Sequence, residues 1–419
     1  MKLQKHHWLI MLISVISYML ISVGFSPLLA GDKKPIKIGV PIPLTGSMAY
    51  DGQQMRNAAI MAADEINAEG GLLGRQLELI FFDSKELLAE TFALAAEELI
   101  GKEKVDALVC GYGGEAGVDT FGKYDIPFFH GEASEYNVSE LVAKHPKYKE
   151  NVFTVGDTSL THGPLVFDSI LKMARNAGYE FPNKKIAVIR GTWTAIQQLT
   201  EGMTERGEEL GWETSFVMDA PEGTREWGGI MMKIRMLNPG LIIFNVWDVT
   251  GMAQFRDQFN EMPTKSILFM GEGHAAPEYV ILRGKKANGE IGYSSKGDLP
   301  NAKGRAWRKA YAKKFNIPQK ETNAASGFQD AATYAGLKIW AEAVKNVGDP
   351  SNYKAVSQAI KDGRFESILG VHSFDENNRA TTEGVPCKVT QVQNGKLVTV
   401  GLNDKLVSGE EFELPEWVK

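Results

Sequence analysis

The chain has 419 residues, of which 43% are hydrophobic and 23% are charged, and its formal net charge is −6 at pH 7. A chain of this length has room for two globular domains. The acidic balance, together with the lack of any cluster of Lys and Arg, argues against nucleic-acid binding.

The N-terminal segment predicts export from the cytoplasm. Lys2 and Lys5 precede the uncharged apolar run 8–23, and Ala30 offers a small-residue cleavage point. This order is typical of a secretory signal peptide, so we expect residues 1–30 to be removed and the mature protein to lie in the periplasm. An uncleaved membrane anchor is the alternative, because the apolar run approaches the length that spans a bilayer. No cysteine stands at the predicted cut, which argues against a lipid anchor.

Two cysteines, Cys110 and Cys387, are the only ones in the chain. Export would permit a disulfide bond between them. Cys110 ends a buried-strand pattern, however, and Cys387 lies far away in the sequence. We therefore expect Cys110 to be a small core residue rather than half of a disulfide.

The first part of the chain alternates strand patterns with helix patterns. Apolar residues from Ile36 onward predict a strand that ends at Pro41 and Pro43, since each proline removes a backbone donor. A helix follows the turn at Gly46. Further strands are predicted at 76–83, 105–110 and 127–130, and a long helix at 87–100. This alternation predicts a parallel, doubly wound α/β sheet, whose ligands bind beyond the carboxyl ends of the strands.

The same alternation then starts a second time. Strands are predicted at 152–156, 185–190, 214–218, 241–246 and 267–270, and helices at 163–177, 195–210, 227–236 and 250–261. The repeat predicts two similar lobes. Residues 291–295 are expected to form a crossing segment, and helices are predicted at 302–315 and 324–345. The final strands, 388–393 and 397–400, flank Asn394-Gly395, a sequence typical of a β-hairpin turn.

The opening segment IKIGVPIPLTGSMAYDGQQMRNAAIMAADEINAEGGLLGRQLELIFFDS, residues 36–84, resembles the start of a known family. Its PLTG turn, Gly52, the helix end AxxxxDxINxxGG and Asp83 are similar to the periplasmic substrate-binding proteins for branched-chain amino acids and related amides. The resemblance implies a type I periplasmic binding protein: an α/β protein of two doubly wound parallel-sheet lobes, joined by a multi-crossover hinge, that serves an ABC importer.

The resemblance also implies that the chain crosses back to the first lobe before its C-terminal part. We therefore expect lobe 1 to comprise residues 31–157 and 291–375. Lobe 2 is expected to comprise residues 158–290 and 376–419.

Family members hold the carboxylate of an amino-acid ligand with hydroxyls and backbone N–H groups in the turns after the third and fourth strands. Gly113 and Gly114 stand in the first of these turns, where their backbone could form an anion nest, although Glu115 would repel a carboxylate. Ala133 and Ser134 match the second turn and are expected to supply a backbone contact and a hydroxyl. The alternative for Ser134 is a helix N-cap.

The remaining candidate ligand-binding residues are aromatic or acidic. Tyr50 lies one residue before the position of a family aromatic residue that covers the ligand; a surface tyrosine is the alternative. Trp193 and Trp247 follow strand ends, where aromatic residues either cover a ligand or pack beneath a loop. Glu272 matches a family acid that pairs with the ligand's α-amino group, and Asp248 is a second acid that favours an ammonium-bearing ligand.

These residues predict an extracytoplasmic solute-binding protein that captures a small polar ligand, with an amino acid or related amide as the first candidate. An aromatic acid, urea or a short-chain amide is the alternative ligand, and a ligand-sensing subunit is the alternative role. The expected partners are ABC permease and ATPase subunits, and the protein is expected to be a monomer without cofactor or metal. The sequence has no HExxH, CxxC or GxSxG motif, so we do not expect an enzyme.

Overall fold

The computed structural model describes residues 34–46, 48–131, 136–156, 159–294, 297–318 and 329–419. The predicted signal peptide, residues 1–30, lies outside the described residues. In chain order the described strands are β1 (Ile36–Ile42), β2 (Leu77–Asp83), β3 (Ala107–Val109), β4 (Phe128–His130), β5 (Val152–Thr154), β6 (Lys185–Arg190), β7 (Glu213–Asp219), β8 (Leu241–Asn245), β9 (Ile267–Phe269), β10 (Ile291–Ser294), β11 (Phe365–Glu366), β12 (Val371–His372), β13 (Lys388–Gln393), β14 (Lys396–Leu402) and β15 (Lys405–Leu406).

The described helices, also in chain order, are α1 (Ala49–Ala68), α2 (Ala89–Ala95), α3 (Gly114–Phe121), α4 (Tyr136–Lys144), α5 (Tyr148–Asn151), α6 (Ser159–Asn176), α7 (Thr194–Glu209), α8 (Gly228–Leu237), α9 (Val249–Glu261), α10 (Pro277–Arg283), α11 (Ala302–Lys314), α12 (Gln329–Val347) and α13 (Tyr353–Asp362). A π-helical segment, Ala96–Lys102, continues α2. Within the described residues, no helix combines the length and the hydrophobicity that crossing a bilayer requires.

The first sheet has the strand order β2-β1-β3-β4-β5, and all its pairings are parallel. Ile36, Ile38, Val40 and Ile42 of β1 are completely buried, because helices cover both faces of a doubly wound sheet. The expectation that Pro41 ends this strand is wrong, since β1 pairs with β2 as far as Ile42. Strand β3 pairs with β1 only at Ile38 and Gly39, so the N–H that proline lacks is not needed there.

The turn after β1 is held by the acid that ends β2. The carboxylate of Asp83 accepts hydrogen bonds from the backbone N–H groups of Leu44 and Thr45, at 2.8 and 3.2 Å, and from the Thr45 hydroxyl at 2.6 Å. Burial alone would raise the pKa of Asp83, but these bonds, with one from the Lys85 N–H, hold it below its usual value. Asp83 therefore positions the entrance to α1.

The second sheet has the order β15-β14-β13-β10-β9-β8-β6-β7. Strands β6 to β10 pair in parallel, and the β13–β14 hairpin adds to β10 in antiparallel fashion. The predicted hairpin is confirmed: Gln393 pairs with Lys396, and both turn residues have positive φ, 52° for Asn394 and 75° for Gly395.

Two boundaries of the predicted lobes differ from the structure. The strand β10 was expected to open the second segment of lobe 1 at residue 291, but it pairs with β9 and β13 of the second sheet. There it covers an edge of β9 that would otherwise be unpaired. At the last crossing, Ala380 and Val385 still belong to the first core, whereas Cys387 belongs to the second. The chain therefore crosses after residue 385 rather than at residue 376.

The two cysteines lie in different cores. Both are buried; Cys110 is in the first core and Cys387 in the second. This separation excludes a disulfide between them in the described structure and agrees with the core role expected for Cys110.

Candidate functional site

A cleft of about 720 Å³ lies between the two lobes, at the carboxyl ends of the strands of both sheets. Its first wall belongs to lobe 1 and includes Met48, Asp51, Leu87 and Tyr112. Its second wall is formed by the turns that follow β6, β7, β8 and β9 in lobe 2. This is the edge at which doubly wound sheets bind ligands.

Two tryptophans form a flat apolar surface on the lobe 2 wall. Trp193 directly precedes α7 and Trp247 follows β8; the ring centroids are 6.4 Å apart and the ring planes are inclined by 25°. Both line the cleft, and Trp193 is 43% exposed. An aromatic surface at the mouth of a cleft can stack on a planar group or bind a cation.

The acid next to Trp247 has structural partners. One carboxylate oxygen of Asp248 accepts a hydrogen bond from the Gly251 N–H at 3.0 Å and so caps α9. The other accepts from the Gly223 N–H at 3.0 Å and lies 2.5 Å from Nη1 of Arg225. Burial raises the pKa of Asp248, but these contacts outweigh it and hold that pKa below its usual value. Asp248 lines the cleft, yet both of its carboxylate oxygens already accept hydrogen bonds from other residues of the protein.

A second acid of the lobe 2 wall has a different setting. Glu272 lies three residues after the end of β9, lines the cleft and is 8% exposed. Glu278, on the first turn of α10, lines the same wall, and burial raises its pKa. The position of Glu272 suits a charge-assisted hydrogen bond to a bound ammonium group.

On the lobe 1 wall, the cleft is lined by Asp51 rather than by Tyr50, the residue predicted to cover the ligand. Tyr50 is partly buried and is not among the residues that line the described cleft, whereas Asp51 is. The Tyr112 hydroxyl donates a hydrogen bond to the Asp51 carboxylate over 2.6 Å. Successive residues of a helix point about 100° apart, so α1 can turn only one of this pair toward the cleft.

The glycine turn also differs from its expected place in the site. Gly113 has φ −119° and ψ −42° and Gly114 has φ 54°, an alternation that suits an anion nest. Neither glycine lines the described cleft, although Tyr112 beside them does. A Cβ on Gly113 would lie 3.0 Å from the His130 side chain, so close packing accounts for a glycine there. Glu115 is exposed.

The second predicted carboxylate contact, Ala133 and Ser134, lies outside the described residues. Residues that the sequence did not single out also line the cleft; they include Asp51, Tyr112, Arg225, Asn245 and Glu278. Asn245 could have been found, because it ends the apolar strand pattern of β8. Among the described residues, no group of three or more His, Cys, Asp and Glu is arranged to hold a metal ion.

The chain is similar to known proteins over most of its length. The sequence profile of the Periplasmic binding protein family matches residues 35–396. The Leu/Ile/Val-binding protein homolog 3 of Brucella melitensis is 23% identical over 359 residues, which are 85% of this chain and 90% of that protein.

Two solved structures show the same fold. A putative branched-chain amino acid ABC transporter from Silicibacter pomeroyi is 24% identical, with a TM-score of 0.82 over 91% of this chain and 100% of that one. An ABC-transporter solute-binding protein from Rhodopseudomonas palustris BisB5, in complex with 3,4-dihydroxybenzoic acid, is 20% identical, with a TM-score of 0.69 over 91% and 99% of the two chains. The profile match over most of the chain and the shared two-lobed fold show that this protein belongs to the type I periplasmic binding proteins.

Proposed function

We propose that this protein is an extracytoplasmic solute-binding protein that captures a small polar ligand between its lobes and delivers it to an ABC importer. The observation that carries the proposal is the cleft, to which both lobes contribute side chains. A ligand that contacts both walls favours the closed arrangement over the open one. Membrane subunits that bind only the closed form can then distinguish loaded from empty protein.

An ammonium-bearing solute is the ligand class that the cleft supports best, with an amino acid as the first candidate. Glu272 is placed to accept hydrogen bonds from an ammonium group, and the Trp193–Trp247 surface can cover an apolar or aromatic side chain. The name of the Brucella melitensis relative, a Leu/Ile/Val-binding protein homolog, agrees with this class.

An aromatic acid is the rival ligand. The tryptophan surface would suit its ring, and the Rhodopseudomonas palustris protein was crystallised with such an acid. The acidic residues that line the cleft disfavour it, because like charges repel most strongly where water is partly excluded.

Delivery requires ABC permease and ATPase subunits at the membrane and a protein exported to the periplasm. We propose both, together with binding that leaves the ligand chemically unchanged. Export is supported by the sequence of residues 1–30, and the partners by the family to which the chain belongs.

The test is a thermal-shift screen of residues 31–419 against amino acids, short amides and aromatic acids, followed by calorimetry on the compounds that raise the melting temperature. A ligand present at 100 times its Kd adds about 2.7 kcal/mol to the free energy of unfolding, which is readily detected. The recovered ligand is then compared with the starting compound by mass spectrometry.

Two tryptophan variants supply the matched control. Trp193→Ala removes an exposed ring from the cleft and is expected to weaken binding by roughly tenfold, about 1.4 kcal/mol. Trp417→Phe changes a ring outside the cleft, packed on Phe259, and should leave affinity unchanged. Equal affinities for both variants, or a panel in which nothing binds, would contradict the proposal.

A further inference from the structure

A second groove, separate from the ligand-binding cleft, lies between α11 of lobe 1 and β14 of lobe 2. Its volume is about 640 Å³. One wall is formed by side chains of residues 305–317, most of them on α11, and the other by residues 397–399 of β14. We call it the α11–β14 groove. None of the described residues that line it also lines the cleft.

The β14 wall of this groove is the edge of a strand. Successive side chains of a strand point to opposite faces of the sheet. Leu397 packs against the core on one face, and Val398 packs against the core on the other. A cavity that touches both of these residues, and Thr399 after them, therefore faces the edge of the strand rather than either face of the sheet.

The strand that pairs with this edge is short. β15 pairs with β14 only at Gly401 and Leu402, and beyond that pairing the Val407 N–H donates to the backbone oxygen of Val400. In the described sheet, residues 397–399 therefore have β13 on one side and the groove on the other. An edge of this kind can accept an extended segment of another chain as an additional strand.

The α11 wall of the groove is basic. Arg305, Lys309 and Lys313 follow one another at intervals of four residues, so they share one face of the helix, and all three are exposed. Lys309 and Lys313 form no ion pair with any described residue, and Arg305 donates one hydrogen bond, from Nη1 to the backbone oxygen of Pro300 at 2.8 Å. The positive charge of all three side chains is therefore available to a partner.

Two acids also line the groove, and one of them is paired within the protein. Nε and Nη2 of Arg308 both donate to one carboxylate oxygen of Asp298, at 3.1 and 2.6 Å, and Nη1 donates to Asp330, which is outside the described lining. The other acid, Glu410, lies on the segment after β15. Apart from the Arg308–Asp298 pair, three bases and one acid line the groove. It therefore attracts negative charge, although the whole chain has a net charge of −6.

We propose that the α11–β14 groove is a docking site for an extended acidic segment of a partner protein. The segment adds as a strand to the edge of β14, and its carboxylates pair with the bases of α11. This interaction goes beyond the capture of a solute in the cleft.

The spacing of the bases suits such a segment. From Arg305 to Lys313 the helix rises by about 12 Å. Three acids at alternate positions of an extended strand span about 13 Å, because alternate residues are about 6.7 Å apart. A segment with an acid at every second residue therefore presents its carboxylates at nearly the interval of the bases.

Calorimetry with synthetic peptides on the chain 31–419 tests the proposal. The first probe is the peptide Thr-Asp-Val-Asp-Val-Asp-Thr with both ends blocked, and its control carries Asn in place of each Asp. We expect the Asn peptide to bind at least about tenfold more weakly, and the affinity of the acidic peptide to fall as salt is raised. Equal affinities of the two peptides, or no binding of the acidic peptide at low salt, would overturn the proposal.

Methylation of the peptide backbone distinguishes strand addition from attraction between charges alone. The N–H groups of alternate residues point to the same side of a strand, so two methylated forms block one edge each. The first form is N-methylated at the three Asp residues, and the second at the two Val residues and the last Thr. We expect one form to bind at least about tenfold more weakly than the other, since only one edge pairs with β14. Equal affinities of the two forms would refute strand addition.

Two double variants test the place of binding. Lys309→Gln with Lys313→Gln is expected to weaken binding of the acidic peptide by about tenfold or more. Lys265→Gln with Lys354→Gln removes the same charge from exposed positions outside the groove and should leave the affinity unchanged. Equal losses in the two double variants would contradict the assignment. Melting temperatures show whether each variant is folded.

An anionic lipid surface is the competing occupant of a basic groove. Phosphatidylglycerol vesicles are therefore tested by flotation with the unmodified protein and both double variants. If the vesicles bind through Lys309 and Lys313 while the acidic peptide does not bind, the proposal is overturned. Any failure here leaves the proposed function intact, because solute binding in the cleft is measured separately.

Discussion

Asp248 gives the sharpest test of the difference between a residue that lines the cleft and one that binds ligand. The variant Asp248→Ala removes the N-cap of α9, which contributes about 1 kcal/mol. It also removes a partly exposed ion pair with Arg225, worth about 0.5 to 1 kcal/mol. The Gly223 N–H in addition loses its acceptor, at about 0.5 kcal/mol. The expected loss in the free energy of unfolding is therefore about 2 kcal/mol.

Asp248→Asn separates these contributions. The amide oxygen can still cap α9 at the Gly251 N–H, but the amide NH2 group that replaces the other oxygen cannot accept from the Gly223 N–H or pair with Arg225. We expect a loss of about 1 to 1.5 kcal/mol in the free energy of unfolding. Because we assign Asp248 a structural role and no contact with the ligand, the affinity for ligand should change by less than about threefold, or 0.7 kcal/mol.

Urea denaturation followed by circular dichroism measures the free energy of unfolding, and calorimetry measures the affinity. Glu272→Gln serves as the contrasting variant, with affinity lost and stability retained. The structural role of Asp248 is refuted if Asp248→Asn loses tenfold or more in affinity while its stability matches that of the unmodified protein, because the carboxylate would then bind the ligand.

The remaining predictions concern two buried histidines and one tightly packed glycine. Burial lowers the pKa of His274 to about 3 and that of His372 to about 4. In the unfolded chain both histidines have a pKa of about 6.5, so as the pH falls the unfolded chain takes up a proton at each of them before the folded protein does. Stability should therefore fall as the pH drops from about 6.5 toward 4, by about 1.4 kcal/mol per histidine and pH unit, as urea titrations at several pH values would show. His372→Gln should flatten this dependence, and an unchanged slope would contradict the assignment. Gly292→Ala places a Cβ 2.2 Å from the His274 ring and is expected to cost about 2 kcal/mol or more in the free energy of unfolding. The matched control, Gly229→Ala in α8, meets no atom within 4 Å and should be neutral or slightly stabilising; similar melting temperatures for the two variants would contradict the packing argument.

The sequence predicted the elements well where the signal is local. The alternating apolar residues of β1 and the Asn394-Gly395 turn both lie where they were expected. Asp83 matched the family pattern, and the structure gives its physical role, which is to hold the turn that leads into α1. Such features depend on residues that are close in sequence or on one strand-to-turn contact.

The site was predicted less completely, for reasons of geometry. Tyr50 and Asp51 are neighbours in the sequence, yet only Asp51 lines the described cleft, because a step of one residue turns a helical side chain by about 100°. The acid at position 248 follows a strand end, as a ligand contact would, but it caps its own helix and pairs with Arg225. Local sequence cannot distinguish these roles, since both require an acid at the start of a helix.

The amino-acid sequence by itself determined the alternation of strands and helices, the repeat of that pattern and the membership of a binding-protein family. The alternation and its repeat follow from hydrophobic periodicity and turn chemistry, which act over a few residues, whereas the family is indicated by the resemblance of residues 36–84 to its members. Only the tertiary structure decided that β10 completes the second sheet and that Asp51 and Glu272 line opposite walls of one cleft. Asp51 and Glu272 are more than 200 positions apart in the chain, so the charge that a ligand meets is set by how the two lobes face each other.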